Sequence, residues 1–492
     1  MSRYVLGIDQ STQGTKALLF DEEGSLICRT DLSHRQYINE KGWVEHDPEE
    51  IYVNTLAVVK NLVEKAGINK NDLAVLGISN QRETAMVWNR TTGKPVYNAV
   101  VWQCARGTQI CEEIEKSGDA DMIRSHTGLQ LSPYFSAAKI AWVLKNVEGV
   151  QELADKGELC CGTIDSWLVY KLTGGKEFRT DYSNASRTQM FNISELKWDN
   201  QVCDLFGIPT SSLPEVTDSD GDYGTTDFEG YLDHEISIRG VLGDSHGALF
   251  GQGCVEKGMI KSTYGTGSSV MMNIGDKPVF SNRVVTSLAW KLGGKVNYVL
   301  EGNINYTGAV ITWLKDDLEL ISSPDETEQL ARESNPADKS YLVPAFTGLG
   351  APYWDSEATG ILTGMTRTTK RKEIVRAALD CIAYQITDVI KAMSAESGID
   401  ISELRVDGGP TKNKYLMQFQ SDIAHVTVQV PSSEELSGIG AAYAAGIAVG
   451  IYNKEEVLNK MTRTRFTPQM QSGECVQKYA GWKNAVEQVL HK

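Results

Sequence analysis

The nine cysteines of this chain never pair as C-x-x-C and are scattered from Cys28 to Cys475. That spacing offers neither a disulfide framework nor a zinc site, and the adjacent Cys160 and Cys161 read as core residues. Long apolar runs are missing as well. Nothing approaches the ~20 residues that cross a bilayer, and MSRYVLGID enters a strand without a leader pattern, so the expectation is a cytoplasmic protein with no membrane partner. Positive charge is scarce: 48 Lys and Arg stand against 64 Asp and Glu, a formal net charge of −16. A nucleic-acid surface needs a dense basic patch, so no nucleic-acid partner is expected, and a neutral substrate is easier to accept than an anionic one. No Pro/Ser-rich linker or low-complexity tract divides the chain.

What remains is an ordinary soluble composition, 41% hydrophobic and 23% charged over 492 residues, long enough for two domains with sizeable cores. Strand-like apolar runs alternate with amphipathic stretches, the pattern of an α/β protein. Pro48-Glu49 opens a helix expected from about Ile51 to Ala66, with Ile51, Leu56, Val59, Leu62 and Val63 on its apolar side, and LAVLGISNQ follows as a buried strand. MIKSTYGTGSSVMMNI reads as strand, turn, strand, and KRKEIVRAALDCIAYQITDVIKAM as a long helix. Recurrence of the strand-turn-strand unit places a domain boundary near Phe250, giving domains 1–249 and 250–492.

Three turns rich in glycine or hydroxyls each follow an apolar strand: Asp9 to Thr15, Tyr264 to Ser269, and Asp407 to Asn413. A polyphosphate needs several unobstructed N–H and O–H donors, which such turns supply. The third leads into KYLMQFQSD, a helix whose N-terminus would add a positive dipole end. None matches G-x-x-x-x-G-K-[ST] or G-x-G-x-x-G, and each alone is an ordinary surface turn. Two strand-turn-strand units about 250 residues apart, however, imply two similar domains facing one nucleotide.

GWVEHDPEEIY, ISNQRETAMVWNRTTGKPVYNAVVWQC, YFSAAKIAWVLKN, TDYSNASRT, KSTYGTGS, VPAFTGLGAPYWD, GILTGMTRTTKRKEIVRAALD and VDGGPTKN run almost the length of the chain. In these segments it resembles the FGGY carbohydrate kinases of the actin, Hsp70 and hexokinase superfamily, and within them the glycerol kinases. Tyr134 to Asn146 and Gly360 to Asp380 fit the family's two signature patterns. The resemblance implies two ribonuclease H-like α/β domains around a nucleotide cleft. It also implies ATP-dependent phosphorylation, with Mg2+, of a primary hydroxyl on a small neutral polyol or sugar. Self-association into a homo-oligomer stays open.

Phosphoryl transfer needs the acceptor aligned with the γ-phosphate, neutralised charge, and a carboxylate to take the hydroxyl proton. Asp244, at the end of the apolar strand in GVLGDSHGALFG, reads on residues alone as a helix N-cap; the resemblance makes it the general base and an acceptor contact. Asp9 would serve the metal. Arg82, Glu83, Trp102 and Tyr134 match the family's polyol clamp, a polar pair with an aromatic wall, and Ser245 and Ser269 complete the acceptor side. On the nucleotide side the resemblance assigns Thr12, Gln13, Gly14, Lys16, Thr266, Gly308, Thr312, Gly409 and Asn413.

Departures from the pattern cluster at the acceptor. Ser11 stands for a usual Gly and Thr312 for a usual Gln, with no charge lost. Gly-Asp-Gln-Gln becomes Gly243-Asp244-Ser245-His246, and a Phe that closes over the glycerol carbons becomes Ser269. A pocket larger than glycerol needs is therefore an expectation, with a four- or five-carbon polyol or ketose as the alternative acceptor and His246 as a packed or helix-start residue. The Met-His type pair of the family's five-carbon ketose kinases is missing. Relatives inhibited by fructose 1,6-bisphosphate carry Gly-Gly-x-Gly-x-x-Arg before the catalytic strand; Phe228 to Glu235 here offers Glu235 instead of a cation. A non-catalytic sugar sensor and a chaperone-like ATPase are the readings from other classes, and polyol-dependent ATP consumption separates both from a kinase.

Overall fold

A computed structural model describes residues 3–491. The hairpin that opens the chain joins β1 (Tyr4–Gln10) to β2 (Gly14–Phe20), antiparallel, with Asp9 opposite Lys16. Both strands are buried along most of their length, as central strands covered on two faces must be. β3 (Leu26–Ser33) extends the meander. The crossover helix α1 (Pro48–Ala66) begins where Asp47 accepts the N–H groups of Glu49 and Glu50, has Pro48 in its first turn, and stops at the left-handed Gly67. It returns the chain to β4 (Leu73–Asn80), parallel to β1. A second helical region includes α2 (Ser136–Asn146), and the sheet is finished by β5 (Thr225–Thr226) and β6 (Ile236–Gly243), giving the order β5-β6-β4-β1-β2-β3.

The same plan is built again. After α3 (Asp244–Gly251), which carries Phe250 in its last turn, come β7 (Ile260–Tyr264), β8 (Ser268–Gly275), β9 (Val285–Leu292) and β10 (Lys295–Ile304). α4 (Arg371–Ser397), β11 (Glu403–Asp407), α5 (Lys414–Ala424), β12 (Thr427–Pro431), α6 (Leu436–Ala448) and β13 (Arg463–Phe466) complete it. The seven strands lie in the order β9-β10-β8-β7-β11-β12-β13. In each sheet a hairpin at the centre (β1 with β2, β7 with β8) is flanked by a parallel strand (β4, β11). Repetition of this unit gives each half its own core and puts the ends of β1, β7 and β11, with their three turns, around one cleft.

α6 belongs to the second half in sequence but packs on the first sheet and on α3. The approach is so close that a Cβ on Gly77 would stand 2.3 Å from the Ala441 carbonyl oxygen, and one on Gly440 only 1.9 Å from that of Gly247. Glycine is required at both places because there is no room for a side chain.

Candidate active site

A cavity of about 260 Å³ opens between the halves, lined among others by Asp9, Lys16, Asp244, Ser245, Asp407 and Glu435. Asp9 ends its strand buried, and burial pushes its carboxyl up to about 6 although Lys16 and Ser79 draw it down. Burial likewise raises Asp407, which accepts from Gln252 Nε2 at 3.2 Å. Asp9 and Asp407 face one cavity, but among the described residues no three acids, histidines or cysteines are grouped to hold a metal unaided, so a divalent ion there would depend on oxygens of a bound ligand as well. Lys16 is already engaged: its Nζ donates to Glu435 at 2.9 Å and lies 3.9 Å from Asp9. Arg29 pairs with the same Glu435.

Around this cavity the three turns differ from free loops. In the first, Ser11 closes the bend onto the Gly14 carbonyl, and Thr12 Oγ1 accepts Trp102 Nε1–H at 2.9 Å, tying the turn to the Trp102 ring. Gln13 is exposed, and its carbonyl accepts the His34 N–H. Thr266 presents an exposed residue at the second turn. Its carbonyl accepts the Thr307 and Ala309 N–H groups, while Gly308 N–H donates to Gly265 O at 2.9 Å. Gly308 thus serves the site by letting two backbones dock, and Thr312, on the exposed side of that short helix, bonds back to the Gly308 carbonyl. In the third turn Gly409 is exposed, whereas Asn413 spends its amide locally: Oδ1 caps α5 through Leu416 N–H, and Nδ2 donates to Thr327. The expected open end of that helix is therefore a capped one.

Asp244 is the first residue of α3, with Gly243 in the N-cap position the local sequence suggested for the acid itself. Its Oδ1 accepts the Ser245 N–H and stands 3.1 Å from Arg82 Nε; the side chain is 36% exposed, toward the cavity. Arg82 and Glu83 follow β4 and are both buried, Glu83 with a positive φ of 61° that few non-glycine residues adopt. They do not pair chiefly with each other. Arg82 forks onto Glu301 at 2.9 and 3.0 Å, and Glu83 Oε1 accepts Arg187 Nε–H at 2.6 Å, leaving 3.9 Å between Arg82 and Glu83. Arg187 Nη1 also lies 3.1 Å from Glu301, and Ser269 Oγ donates to Glu301 at 3.3 Å. Burial alone would push Glu301 up; the guanidinium groups of Arg187 and Arg82 outweigh it and hold the carboxyl well below the usual range.

The wall is aromatic, as the residues suggested: Trp102 and Tyr134 meet edge to face at 5.6 Å, and Phe135 backs Tyr134 at 5.3 Å. Lys139, buried in α2, fixes this corner by donating to the carbonyls of Pro133, Tyr134 and Phe135. His246 is packed and buried against the ion cluster, with both ring nitrogens lacking a partner, and burial drives it well below its ordinary value. Sequence reasoning missed Glu301, Arg187 and Lys139. A lone acid inside the apolar strand VNYVLEGNI was the available signal for the first.

Lys139 carries a testable pH dependence. Burial lowers its amine from 10.5 to about 7, so between those values the unfolded chain binds one more proton than the folded one, and stability contributed by this residue rises with pH. Relative to Lys139→Met, the natural chain is expected to gain melting temperature as pH goes from about 7 to about 9. A constant difference in thermal melts across that range contradicts this.

Two sheets of one plan, joined over a carboxylate-lined cleft with a phosphate-type turn from each half, define an ATP-dependent phosphotransferase of the actin-like architecture. Family models for the N-terminal and C-terminal domains of the FGGY family of carbohydrate kinases match residues 4–251 and 260–449, and the chain belongs to that family. It is 48% identical to a glycerol kinase of Alkaliphilus oremlandii, covering 100% of this chain and 98% of that one. It is 49% identical to glycerol kinase 1 of Thermotoga maritima over 99% of each. Among solved structures, a Plasmodium falciparum glycerol kinase with ADP superposes with a TM-score of 0.94 at 36% identity, covering 100% of this chain and 99% of that one. No helix of the described residues is long and apolar enough to cross a membrane.

Proposed function

We propose that this enzyme moves the γ-phosphoryl group of ATP to a primary hydroxyl of a small neutral polyol, as glycerol kinases do, with Asp244 as general base. The observation that carries the reading is the position of Asp244, which lines the turn-bounded cavity and at the same time touches Arg82 of the buried ion cluster. An acceptor hydroxyl held there has a carboxylate to take its proton on one side and the phosphate turns on the other. Mg2+, bound with the nucleotide and held on the protein side by Asp9, would neutralise charge on the phosphates. Arg82, Trp102, Tyr134 and Glu83 hold the polyol; Thr12, Gln13, Gly14, Thr266 and Gly409 shape the nucleotide side. Gly308, Thr312, Asn413 and Lys16 support it through the backbone and ion contacts described above.

Charge balance argues for a neutral acceptor. The guanidinium groups of Arg82 and Arg187 are offset by the carboxylates of Glu83 and Glu301, so the cluster has no spare cation for an acceptor carboxylate or phosphate. Release of ADP measured with and without C3 to C6 polyols and ketoses tests the assignment. Polyol-dependent turnover is the expected result; turnover indifferent to polyol defines an ATPase, and none defines a sensor. A four- or five-carbon acceptor is the second reading, favoured by Ser269 and Ser245, small residues at the acceptor edge.

The loop from Phe228 to Glu235 bears on regulation. Glu235 accepts from Thr225 and lies 3.8 Å from Lys176, while Asp233 pairs with Lys70 at 2.7 Å, so the loop is pinned with acids outward. The exposed acids of this loop oppose a phosphate, and the two nearby lysines are already paired with them. No inhibition is expected at millimolar fructose 1,6-bisphosphate. Inhibition that disappears when this loop is mutated contradicts the expectation.

A further inference from the structure

Glu301 stands out among the buried charges because it belongs to the other half of the molecule. Arg82 and Asp244 lie at the ends of β4 and β6 in the first sheet, and Arg187 follows the helical region of that half; Glu301 sits on β10 of the second. Its side chain is 0% exposed, and both oxygens are spent on the Arg82 fork, with Arg187 and Ser269 beside them. A bidentate fork fixes the plane of a guanidinium as well as its position. With that plane fixed, Nε of Arg82 is set 3.1 Å from the Asp244 carboxylate. β10 pairs with β8 directly behind the second phosphate turn, where Ser268 faces Ile304. The post that orients Arg82 is thus built on the strands that carry a nucleotide turn.

We infer that Glu301 is a positioning residue that crosses between the halves to orient Arg82 and Arg187, so that the nucleotide-bearing half aligns the acceptor and its base. It touches neither substrate; it acts through the two arginines. Loss of its charge frees Arg82 to turn fully onto Asp244 and releases Arg187 from one of its two carboxylates. The acceptor then loses its alignment while the nucleotide turns are unchanged. The inference rests on the reading of Asp244 and Arg82 as the acceptor end.

The test compares Glu301→Gln with the natural chain by steady-state kinetics, using glycerol and the best acceptor found in the polyol panel. The expected result is a rise in acceptor KM, a fall in kcat on the order of 10²-fold, an unchanged Kd for ATP, and a larger share of ATP hydrolysed without phosphorylated product. A merely structural role would lower the melting temperature and leave the acceptor KM and the hydrolysis share alone. Where Glu301→Gln does not fold, Glu301→Asp keeps the charge and shortens its reach by one methylene, and the same split is expected from it. A folded variant of either kind with natural acceptor KM, kcat and coupling overturns the inference. A natural chain that phosphorylates no polyol overturns the underlying reading instead.

Discussion

Asp244→Asn is expected to lower kcat by about 10²–10⁴-fold, the usual worth of a general base, while ATP still binds. The amide has the same size and keeps an oxygen for the Ser245 N–H that now bonds Oδ1. Arg82 loses one anionic neighbour but retains its fork on Glu301, so the ion cluster and the fold stay in place. The nucleotide contacts proposed above fall to the three turns, whose backbone hydrogen bonds do not involve the Asp244 side chain. Calorimetric ATP affinity near the natural value together with collapsed ADP release is the expected pair of results. Near-normal turnover with any polyol removes Asp244 from the chemistry.

Ser269→Phe is expected to shift acceptor preference toward glycerol. Ser269 is half-buried and its hydroxyl reaches Glu301 at 3.3 Å, so the ion cluster has a small, polar neighbour there. A ring there would supply an apolar lid worth roughly 1.5–3 kcal/mol if fully buried, and less against a small polyol. In the natural chain a longer acceptor can fill the space, and Ser245 or Ser269 can bond its added hydroxyl. One such fit is worth ~1–3 kcal/mol, or roughly 10- to 200-fold in kcat/KM. Values of kcat/KM for glycerol, erythritol, threitol, erythrulose, xylulose and ribulose in both chains decide the matter. Glycerol best in the natural chain, with the same ranking in Ser269→Phe, eliminates the larger pocket.

The strands and helices were legible because their signals are local. The caps of α1 lie within its own segment, Asp47-Pro48 at one end and Gly67 at the other, and the hairpins announce themselves by apolar runs on either side of polar turns. Motif resemblance marked Arg82 and Glu83 as candidates, and both are buried, Arg82 beside Asp244. Their partners were not legible in the sequence. Arg82 and Glu301 are 219 residues apart, and Lys16 and Glu435 are 419 apart, so no spacing rule joins them; only the closing of two halves does. Asn413 shows a different limit. The motif marks its position, but whether its amide faces a ligand or caps its own helix depends on one side-chain torsion, which sequence does not record.

α6 meets the first half with glycines and alanines at the closest approaches to β4 and α3, and beside them Leu436, Ile439 and Tyr443 pack among Leu18, Phe20 and Leu249. The Tyr443 ring set edge-on against Phe20, with its hydroxyl donating to the Gly24 carbonyl, keys the helix into the first half. α6 therefore travels with the first half as a borrowed part of it, and a change in the cleft bends the chain on either side of this helix rather than sliding the halves across it. The buried Arg82–Glu301 fork between the halves acts as a clasp on that bending, since opening it would leave charged groups without their partners.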